Sequence, residues 1–475
     1  MRAWNLAKRY AVRTAVAQLA GAMARADDET LVRLTRIGER IAPFEYQRKQ
    51  LRWVRELIKQ NHPGAQLARR ILTELHPKVR AKVVQNLIVN NGWLGSRRRQ
   101  EVETTEGFLV PYLLVISPTM RCNLRCYGCY AGAYRHEDDL PFELWDSIIE
   151  QAKELGVYFM TISGGEPFIR ADELLKLAWK HNDVMFQVYT NGTFIDAEMA
   201  RRLREVGNVG PCISVEGFAE ETDARRGEGV HAKVLEAMHH LREEGCIFGF
   251  SATATRQTAD VIATDEFFDF YLQQGCMFGW IFTYVPVGRG PDLDLMPLPE
   301  QRDKIRREVL KIRATRPMFV ADFWNDGPLV GGCMAGGRLY MHVNHRGEAE
   351  PCVFVHFSVD NLHEKTLREV LSSDFFRAIQ RRQPYSDNLL RPCMIIDNPE
   401  VLREVVAEGG ARPTDAGAEQ LLGEKAAGLD DYARRWKELA DKAWEEDLYS
   451  FAKPGGLLDY RASNRERHAA SAAGK

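Results

Sequence analysis

The chain has no long apolar run and no set of cysteines that pairs off completely. No stretch of its 475 residues approaches the roughly eighteen apolar residues of a membrane-spanning helix. Lys8, Arg9 and Arg13 are followed by neither a long apolar core nor a small-residue cleavage site, so we expect no signal peptide. Nine cysteines, an odd number, indicate reduced thiols or metal ligands rather than a disulfide framework. We therefore expect a cytoplasmic protein, with peripheral attachment at the inner face of the membrane as a further possibility.

Basic residues are concentrated in the first hundred positions. The net charge is −2, but residues 1–100 hold 21 lysines and arginines against 7 acidic residues. Such asymmetry is typical of a module that meets something anionic, such as a membrane surface, nucleic acid or an acidic peptide. The alternative is that this module docks on the acidic remainder of the chain. Helical spacing interrupted at Pro43, Pro63 and Pro77 predicts four or five helices here, and we predict no specific nucleic-acid partner.

Strand and helix patterns alternate after the basic region. Six β-rich runs, each followed by a helical pattern, predict parallel βα units in an incomplete barrel or a doubly wound sheet. The runs are Leu113–Ser117, Val157–Ser163, Val184–Thr190, Val209–Val215, Cys246–Thr255 and Met277–Val285. We place a helical domain and linker at 1–107, the barrel at 108–315, an auxiliary region at 316–400, and a helical extension with a polar tail at 401–475. A hairpin is predicted at Asn344–Gly347 within the auxiliary region.

Three cysteines share one short segment directly after the first predicted strand. Cys122, Cys126 and Cys129 are spaced four and three residues apart. Thiolates on such a segment suit an iron–sulfur cluster, because each sulfur can reach a different iron of one compact cube. Three cysteines leave one iron without a protein ligand, and an open coordination position can bind a substrate or cofactor. The alternative is a zinc site with His136 as the fourth ligand.

This C-x3-C-x2-C segment, with Tyr127 shortly before the third cysteine, resembles the signature of the radical S-adenosylmethionine (SAM) superfamily. The turn Ser163-Gly-Gly-Glu-Pro167 is similar to that family's glycine-rich motif, in which backbone groups and the glutamate hold the methionine amino group. The resemblance implies that the cofactor is bound by Tyr127, Gly164, Gly165, Glu166, Pro167, Asn191, Ser214, Glu216, Ser251 and Val287. Glu216 stands where many relatives have Asp. Arg225 lies in a run that resembles the loop after strand four in relatives with an auxiliary domain, or else belongs to a solvated charged turn.

A second set of cysteines follows the barrel region. The pattern Cys333-x13-Gly347-x4-Cys352, with Cys393 further on, resembles the opening of a SPASM or twitch auxiliary domain, although the dense later cysteine array of a full SPASM domain is absent. The resemblance implies a second 4Fe–4S cluster held by these three cysteines. Its fourth ligand is left open among His342, His345, His356, Asp397 and bound substrate. The polar and aromatic run 322–327 either caps a helix or contacts substrate, and Cys212, Cys246 and Cys276 are predicted to be small buried hydrophobes.

The resemblance implies an α/β fold: a partial (β/α)6 TIM-like barrel of the radical SAM type, with an N-terminal helical domain and a C-terminal twitch-like auxiliary region. It further implies a 4Fe–4S cluster that binds SAM and cleaves it reductively to a 5′-deoxyadenosyl radical, which abstracts hydrogen from an unreactive carbon. The electron would come from a low-potential donor such as a flavodoxin or ferredoxin.

The substrate is open among three hypotheses. The basic N-terminal module, together with an arrangement reminiscent of lipid-acting radical enzymes, favours an acyl chain of a membrane lipid. A peptide-modifying maturase is the alternative within enzymes, because the basic helices could also bind an acidic leader peptide. A non-catalytic iron–sulfur electron-transfer protein is the third hypothesis, but a carrier needs neither an open iron nor the Gly-Gly-Glu-Pro turn.

Overall fold

A computed structural model describes residues 18–42, 45–134 and 137–453. Its α-helices are α1 Asp28–Ile41, α2 Glu45–Lys59, α3 Pro63–Thr73, α4 Pro77–Val83, α5 Ser96–Glu106, α6 Phe142–Glu154, α7 Ala171–Lys180, α8 Ala197–Val206, α9 Ala219–Arg226, α10 Val230–Glu243, α11 Ala259–Ile262, α12 Asp265–Gln273, α13 Pro299–Thr315, α14 Gly327–Val330, α15 Leu367–Leu371, α16 Asp374–Arg381, α17 Pro399–Gly409 and α18 Ala426–Trp444. The strands are β1 Leu113–Ile116, β2 Phe159–Ile162, β3 Met185–Thr190, β4 Val209–Val215, β5 Gly249–Ala254, β6 Phe278–Thr283, β7 Phe319–Asp322, β8 Tyr340–Val343, β9 Ala349–Glu350, β10 Phe357–Ser358 and β11 Arg412–Pro413. A π-helix spans Val84–Gly95, and short 3-10 helices include Tyr130–Ala133 and Pro167–Arg170.

Strands β1 to β9 form one sheet in the order β7-β6-β5-β4-β3-β2-β1-β8-β9. Neighbours from β7 through to β8 run parallel, and β9 pairs antiparallel with β8. Each of the six predicted runs contains one of the strands β1 to β6, so the prediction of a partial barrel is confirmed. The predicted hairpin is the β8–β9 pair. The sheet also continues past residue 315, because β7 and β8 extend its two sides.

Apolar residues explain why these short segments form a buried parallel sheet. All four residues of β1 are buried, and β3 and β4 are buried along almost their whole length. Parallel strands covered on both faces are apolar without alternation. Helices such as α6 and α10 bury one apolar face each, with Ile148 and Met238 fully enclosed. Polar side chains that could form a site are therefore found mainly at the ends of the strands and in the loops that follow them.

The N-terminal helices pack against the end of the sheet at which the strands begin. Leu75, Val79 and Val83 form an apolar cluster with Met185 and with residues just before β5 and β6. Hydrogen bonds surround this cluster, and most are donated to backbone carbonyls that precede strands. They run from Arg70 to Cys276 O and Pro317 O, from Lys82 to Asn182 O, from Asn86 to Asn182 O and Val184 O, and from Asn90 to Asp183 O. This contact supports the docking alternative for the basic module.

No contact in the structure bears on the membrane alternative, which stays a prediction. Among the residues that the structure describes, no helix is both long and apolar enough to cross a bilayer.

The segment directly before the barrel, at the end of the region assigned to the helical domain and linker, forms a helix. Residues Ser96–Glu106 form helix α5, which ends at Gly107 in a left-handed conformation (φ 73°). Arg99 is buried and donates to Gly156 O at 2.6 Å and to Asn91 O at 3.1 Å. Arg99 thus joins the π-helix to the loop before β2. The polar tail lies, from residue 454 on, outside the described residues.

Candidate functional site

An open cavity, whose empty space together with adjoining solvent measures about 1360 Å³, lies where the strands of the sheet end. The ends of parallel strands are where (β/α) barrels place their chemistry. Small polar side chains from successive strands line its floor: Thr161, Ser163, Thr190, Ser214, Ser251, Thr253 and Thr283. The Oγ atoms of Ser214 and Ser251 lie 3.4 Å apart on neighbouring strands.

The three-cysteine segment forms one wall of this cavity. Cys122, Cys126 and Cys129 all line it. Leu124 N–H points at Cys122 Sγ at 3.4 Å, the kind of backbone contact that supports a thiolate ligand. Burial raises the pKa of the Cys129 thiol, and a bound metal would favour its thiolate form. The segment is braced from outside, since Arg289 donates from its backbone to Cys129 O at 2.9 Å and from its guanidinium to Cys126 O at 3.0 Å.

The three thiols were considered as ligands of a cluster or of a zinc ion. Within the described residues, no three Cys, His, Asp or Glu side chains are placed to hold a single metal ion. A four-iron cluster does not require the three sulfurs to converge on one metal ion, since each thiolate binds its own iron. His136, the fourth ligand of the zinc alternative, lies outside the described residues.

Glycines hold the Gly-Gly-Glu-Pro turn against the start of the cysteine segment. Gly165 N–H donates to Thr119 O at 2.9 Å, and Glu166 N–H donates to Arg121 O at 2.8 Å. A Cβ on Gly164 would lie 2.3 Å from Thr119 O, and this residue has a φ of 115°. Only glycine tolerates that approach and that conformation. Gly164 and Gly165 both line the cavity, so their backbone is open to a ligand.

Glu166 itself does not line the cavity. Its carboxylate is fully buried and accepts three hydrogen bonds, from Phe168 N–H at 3.0 Å, Thr190 Oγ1 at 2.8 Å and Asn191 N–H at 2.7 Å. Burial raises its pKa to about 7, although these donors and Arg226 act in the opposite direction. Its observed contacts therefore join the turn after β2 to the end of β3. Pro167 is buried next to it, at the start of the short 3-10 helix.

Glu216 is paired with two arginines. Its Oε1 accepts from Arg225 Nη1 at 2.7 Å and from Arg226 Nε at 2.8 Å, and its Oε2 has no hydrogen-bond partner among the described residues. Both arginines line the cavity, whereas Glu216 does not. Arg225 is buried and also donates to the carbonyls of Tyr127 and Gly128. The alternative of a solvated charged turn for Arg225 was therefore wrong.

The residues predicted for the cofactor divide into two groups. Those that line the cavity are Gly164, Gly165, Asn191, Ser214 and Ser251, and those that do not are Tyr127, Glu166, Pro167, Glu216 and Val287. Asn191 also approaches the cysteines, because its Nδ2 lies 2.8 Å from Asn123 Oδ1 and 3.9 Å from Cys122 Sγ. Tyr127 is partly exposed beneath the Arg225 guanidinium. Val287 is buried in the loop that supports the cysteine segment.

Four aromatic side chains, Trp280, Phe282, Phe323 and Phe354, form an aromatic wall of the cavity, and of these four Phe323 alone lies in a run that was considered for substrate contact. Trp280 and Phe282 stack with their planes 11° apart, and Phe282 contacts both Phe323 and Phe354. The alternation of aromatic side chains along β6 was a usable signal for the first two. Tyr130 was also missed, and its hydroxyl lies 2.5 Å from Ser163 Oγ and accepts from Gly164 N–H.

The second set of cysteines surrounds a smaller cavity of about 440 Å³. Cys333, Cys352 and Cys393 all line it, although Cys393 is distant in sequence. Backbone N–H groups approach two of the sulfurs, Phe354 N to Cys352 Sγ at 3.5 Å and Ile395 N to Cys393 Sγ at 3.3 Å. Three thiols around one space with N–H donors fit an iron–sulfur cluster. Cys212, Cys246 and Cys276 are buried, as predicted.

None of the four side chains considered as a fourth ligand lines the smaller cavity. His342 lies between Ser117 Oγ at 2.7 Å and Glu350 Oε2 at 2.6 Å, and His356 contacts Asp415 and Val353 O. Asp397 accepts Arg302 Nη1 at 2.6 Å and Cys393 N–H at 3.0 Å. His345 is buried beside the Tyr134 ring. Of the fourth ligands considered, bound substrate is therefore the one that still fits the structure.

The polar members of the 322–327 run bond to one another and to Arg313 rather than capping α14, and substrate contact by its aromatic members stays a prediction. Asn325 donates to Asp322, and Asp326 accepts from Arg313 and from Asp322 N–H just before α14, so the polar members build the turn. Phe323 lines the larger cavity, and both Phe323 and Trp324 line the smaller one. Four residues, Phe323, Met334, Tyr340 and Phe354, form a wall common to the two cavities.

Comparison with known families accounts for both sets of cysteines. Residues 116–258 match the Radical SAM superfamily, and residues 333–394 match SPASM, an iron–sulfur cluster-binding domain. The chain therefore contains a radical SAM domain and a SPASM domain and is an enzyme, and these domains imply a 4Fe–4S cluster with SAM and auxiliary iron–sulfur clusters as its cofactors. It requires a reductant, as radical SAM enzymes generally do.

Similar curated proteins have several activities. The chain is 28% identical to Fe-coproporphyrin III synthase of Methanosarcina barkeri, over 57% of this chain and 77% of that protein. It is 29% identical to mycofactocin maturase MftC of Mycolicibacterium smegmatis, over 56% of this chain and 69% of that protein. It is 27% identical to PqqA peptide cyclase of Granulibacter bethesdensis, over 61% of this chain and 81% of that protein.

Proposed function

We propose that this enzyme is a peptide maturase that abstracts hydrogen from a carbon of a peptide substrate held between two iron–sulfur sites. The observation that carries the proposal is the aromatic-walled cavity, which has the first set of cysteines on one side and shares a wall with the space that the second set surrounds. A substrate in this cavity would lie within reach of both metal sites.

In this proposal the first cluster is held by Cys122, Cys126 and Cys129, and the auxiliary cluster by the later three cysteines. When bound, the first cluster supplies the electron that cleaves SAM to the reactive radical. The polar floor of the cavity would hold the cofactor, with the Gly164–Gly165 backbone facing one part of it and Asn191 another. Glu166 would position these groups through its bonds to the neighbouring backbone.

The lining of the cavity favours an uncharged substrate group. Among the described lining residues, Arg225 and Arg226 are the charged side chains, and both are already paired with Glu216. A tetrapyrrole with several carboxylates would need more cationic partners than this lining offers. Aromatic rings and thioethers instead suit an aliphatic or aromatic side chain presented by a peptide.

The names of the related proteins support a peptide substrate better than a lipid substrate. Two of the similar proteins are named as a maturase and a peptide cyclase. The apolar wall would also accept an acyl chain, but none of the three similar proteins described above is named for a lipid substrate. We further propose that a flavodoxin or ferredoxin supplies the electron.

The test compares anaerobic cells that contain or lack this protein. Peptide and lipid fractions from both are profiled by mass spectrometry, and we expect a peptide whose mass depends on the enzyme. The reconstituted enzyme, incubated with SAM, dithionite and the peptide fraction of the deficient cells, should then reproduce that mass change and release additional 5′-deoxyadenosine.

The Cys122→Ala variant, purified and reconstituted in parallel, is the matched control and should leave the peptide unchanged. Enzyme-dependent masses found in the lipid fraction alone would overturn the peptide proposal in favour of an acyl substrate. An enzyme-dependent tetrapyrrole would overturn it in favour of haem-related chemistry.

A further inference from the structure

Tyr340 occupies the boundary between the two cavities. It is the first residue of β8 and is almost completely buried. Its side chain lines both the larger cavity and the space surrounded by the second set of cysteines. Its ring packs edge-on against Phe323, with ring centroids 5.9 Å apart. Of the four residues in the common wall, it is the one that carries a hydroxyl group.

That hydroxyl contacts a cysteine of the second set. Tyr340 Oη lies 2.8 Å from Cys352 Sγ, closer than the backbone N–H of Phe354, which approaches the same sulfur at 3.5 Å. A thiolate bound to iron has no proton and only accepts hydrogen bonds. With a metal present, the phenol O–H must therefore be the donor in this contact.

We propose that Tyr340 is a positioning residue that raises the reduction potential of the auxiliary cluster by hydrogen bonding to its Cys352 ligand. Reduction adds negative charge to the cluster and its thiolates, and a donor to a ligand sulfur stabilises that charge. The site is buried, so water does not replace the donor and the contact is electrostatically strong. The inference rests on the proposed function, because it takes Cys352 as a cluster ligand.

The test is a redox titration of the auxiliary cluster in the holoenzyme, followed by electron paramagnetic resonance. Tyr340→Phe removes the hydroxyl and keeps the ring, so we expect the full iron content with a midpoint potential more negative than in the wild type. Tyr189→Phe is the matched control, because Tyr189 also lines the larger cavity but not the smaller one. Its auxiliary midpoint should not move.

A nearly isosteric replacement keeps the inference testable if the phenylalanine variant loses iron. Incorporating 3-fluorotyrosine at position 340 retains the donor and makes it more acidic, so the midpoint should shift in the positive direction. An unchanged midpoint in either iron-replete protein would overturn the role of Tyr340. Unchanged iron content in Cys352→Ala would instead show that Cys352 is not a ligand, which separates failure of the proposed function from failure of this inference.

Discussion

The buried carboxyl of Glu166 should make the stability of this protein depend on pH. Its pKa is raised by burial from an ordinary 4.5 to about 7. A raised carboxyl pKa means that the folded state holds a proton that the unfolded state has released. The stabilisation of the folded state by the protonated Glu166 carboxyl is therefore fully present below about pH 4.5 and is lost as the pH rises through 7.

The size of the effect follows from the shift. A difference of about 2.5 pKa units at 1.36 kcal/mol per unit corresponds to about 3 kcal/mol of unfolding free energy, to order of magnitude. Glu166→Gln removes the titration and keeps the shape of the side chain. It also offers only one acceptor oxygen to the donors from Phe168, Thr190 and Asn191, which adds a constant loss of about 1–3 kcal/mol.

The assay is urea unfolding of the iron-free protein at pH 5, 6, 7 and 8. We expect the wild type to lose stability relative to Glu166→Gln across this range, most of it between pH 5 and 7. Glu205→Gln is the control, because Glu205 is exposed on α8 and should show no such divergence. Parallel pH curves for the wild type and Glu166→Gln would refute the reasoning, since they would mean that Glu166 ionises as it does in water.

Three further predictions concern the two metal sites and the packing beneath the sheet. Cys129→Ala should abolish formation of 5′-deoxyadenosine from SAM, and product at the wild-type rate would exclude this segment as the cluster site. Removing Cys333, Cys352 and Cys393 together should lower the iron content from about eight to about four per chain and end substrate modification, with some uncoupled SAM cleavage remaining. Full iron with normal turnover would make these cysteines packing residues. Leu75→Ala should cost about 2–5 kcal/mol in urea unfolding, and a loss below 1 kcal/mol would show that the N-terminal helices contribute little to the barrel.

Much of the barrel could be predicted because its strands are covered on both faces and its motifs are local. The strand residues Leu113–Ile116 are apolar without interruption, and the loops after strands such as this one carry the cysteines and glycines in short, recognisable order. Strand β7 was missed, because its residues were assigned to the auxiliary region, and β8 was expected only as part of a hairpin, because its partner β1 lies far earlier along the chain. Pairing at that distance leaves no local signal.

The chemistry of the site was less accessible from sequence than its position. Glu166 and Glu216 were placed correctly at strand ends, but their hydrogen bonds to neighbouring protein groups depend on which segments meet there. The aromatic wall unites β6 with Phe323 and Phe354 from two later segments. The burial of Arg99 in helix α5 could likewise not be predicted, because its partner Gly156 O lies far along the chain.

The helices beneath the sheet have a consequence for its shape. The strand order begins at β7 and ends at β9, so the sheet closes no ring of hydrogen bonds that would fix its curl. Arg70 bridges the carbonyls of Cys276 and Pro317, which precede β6 and β7, and Asn86 and Asn90 hold the turn before β3. These helices thus hold the starting ends of several strands in place, so residues that do not line the cavity help to set the spacing of the strands at the opposite ends, where the cavity lies.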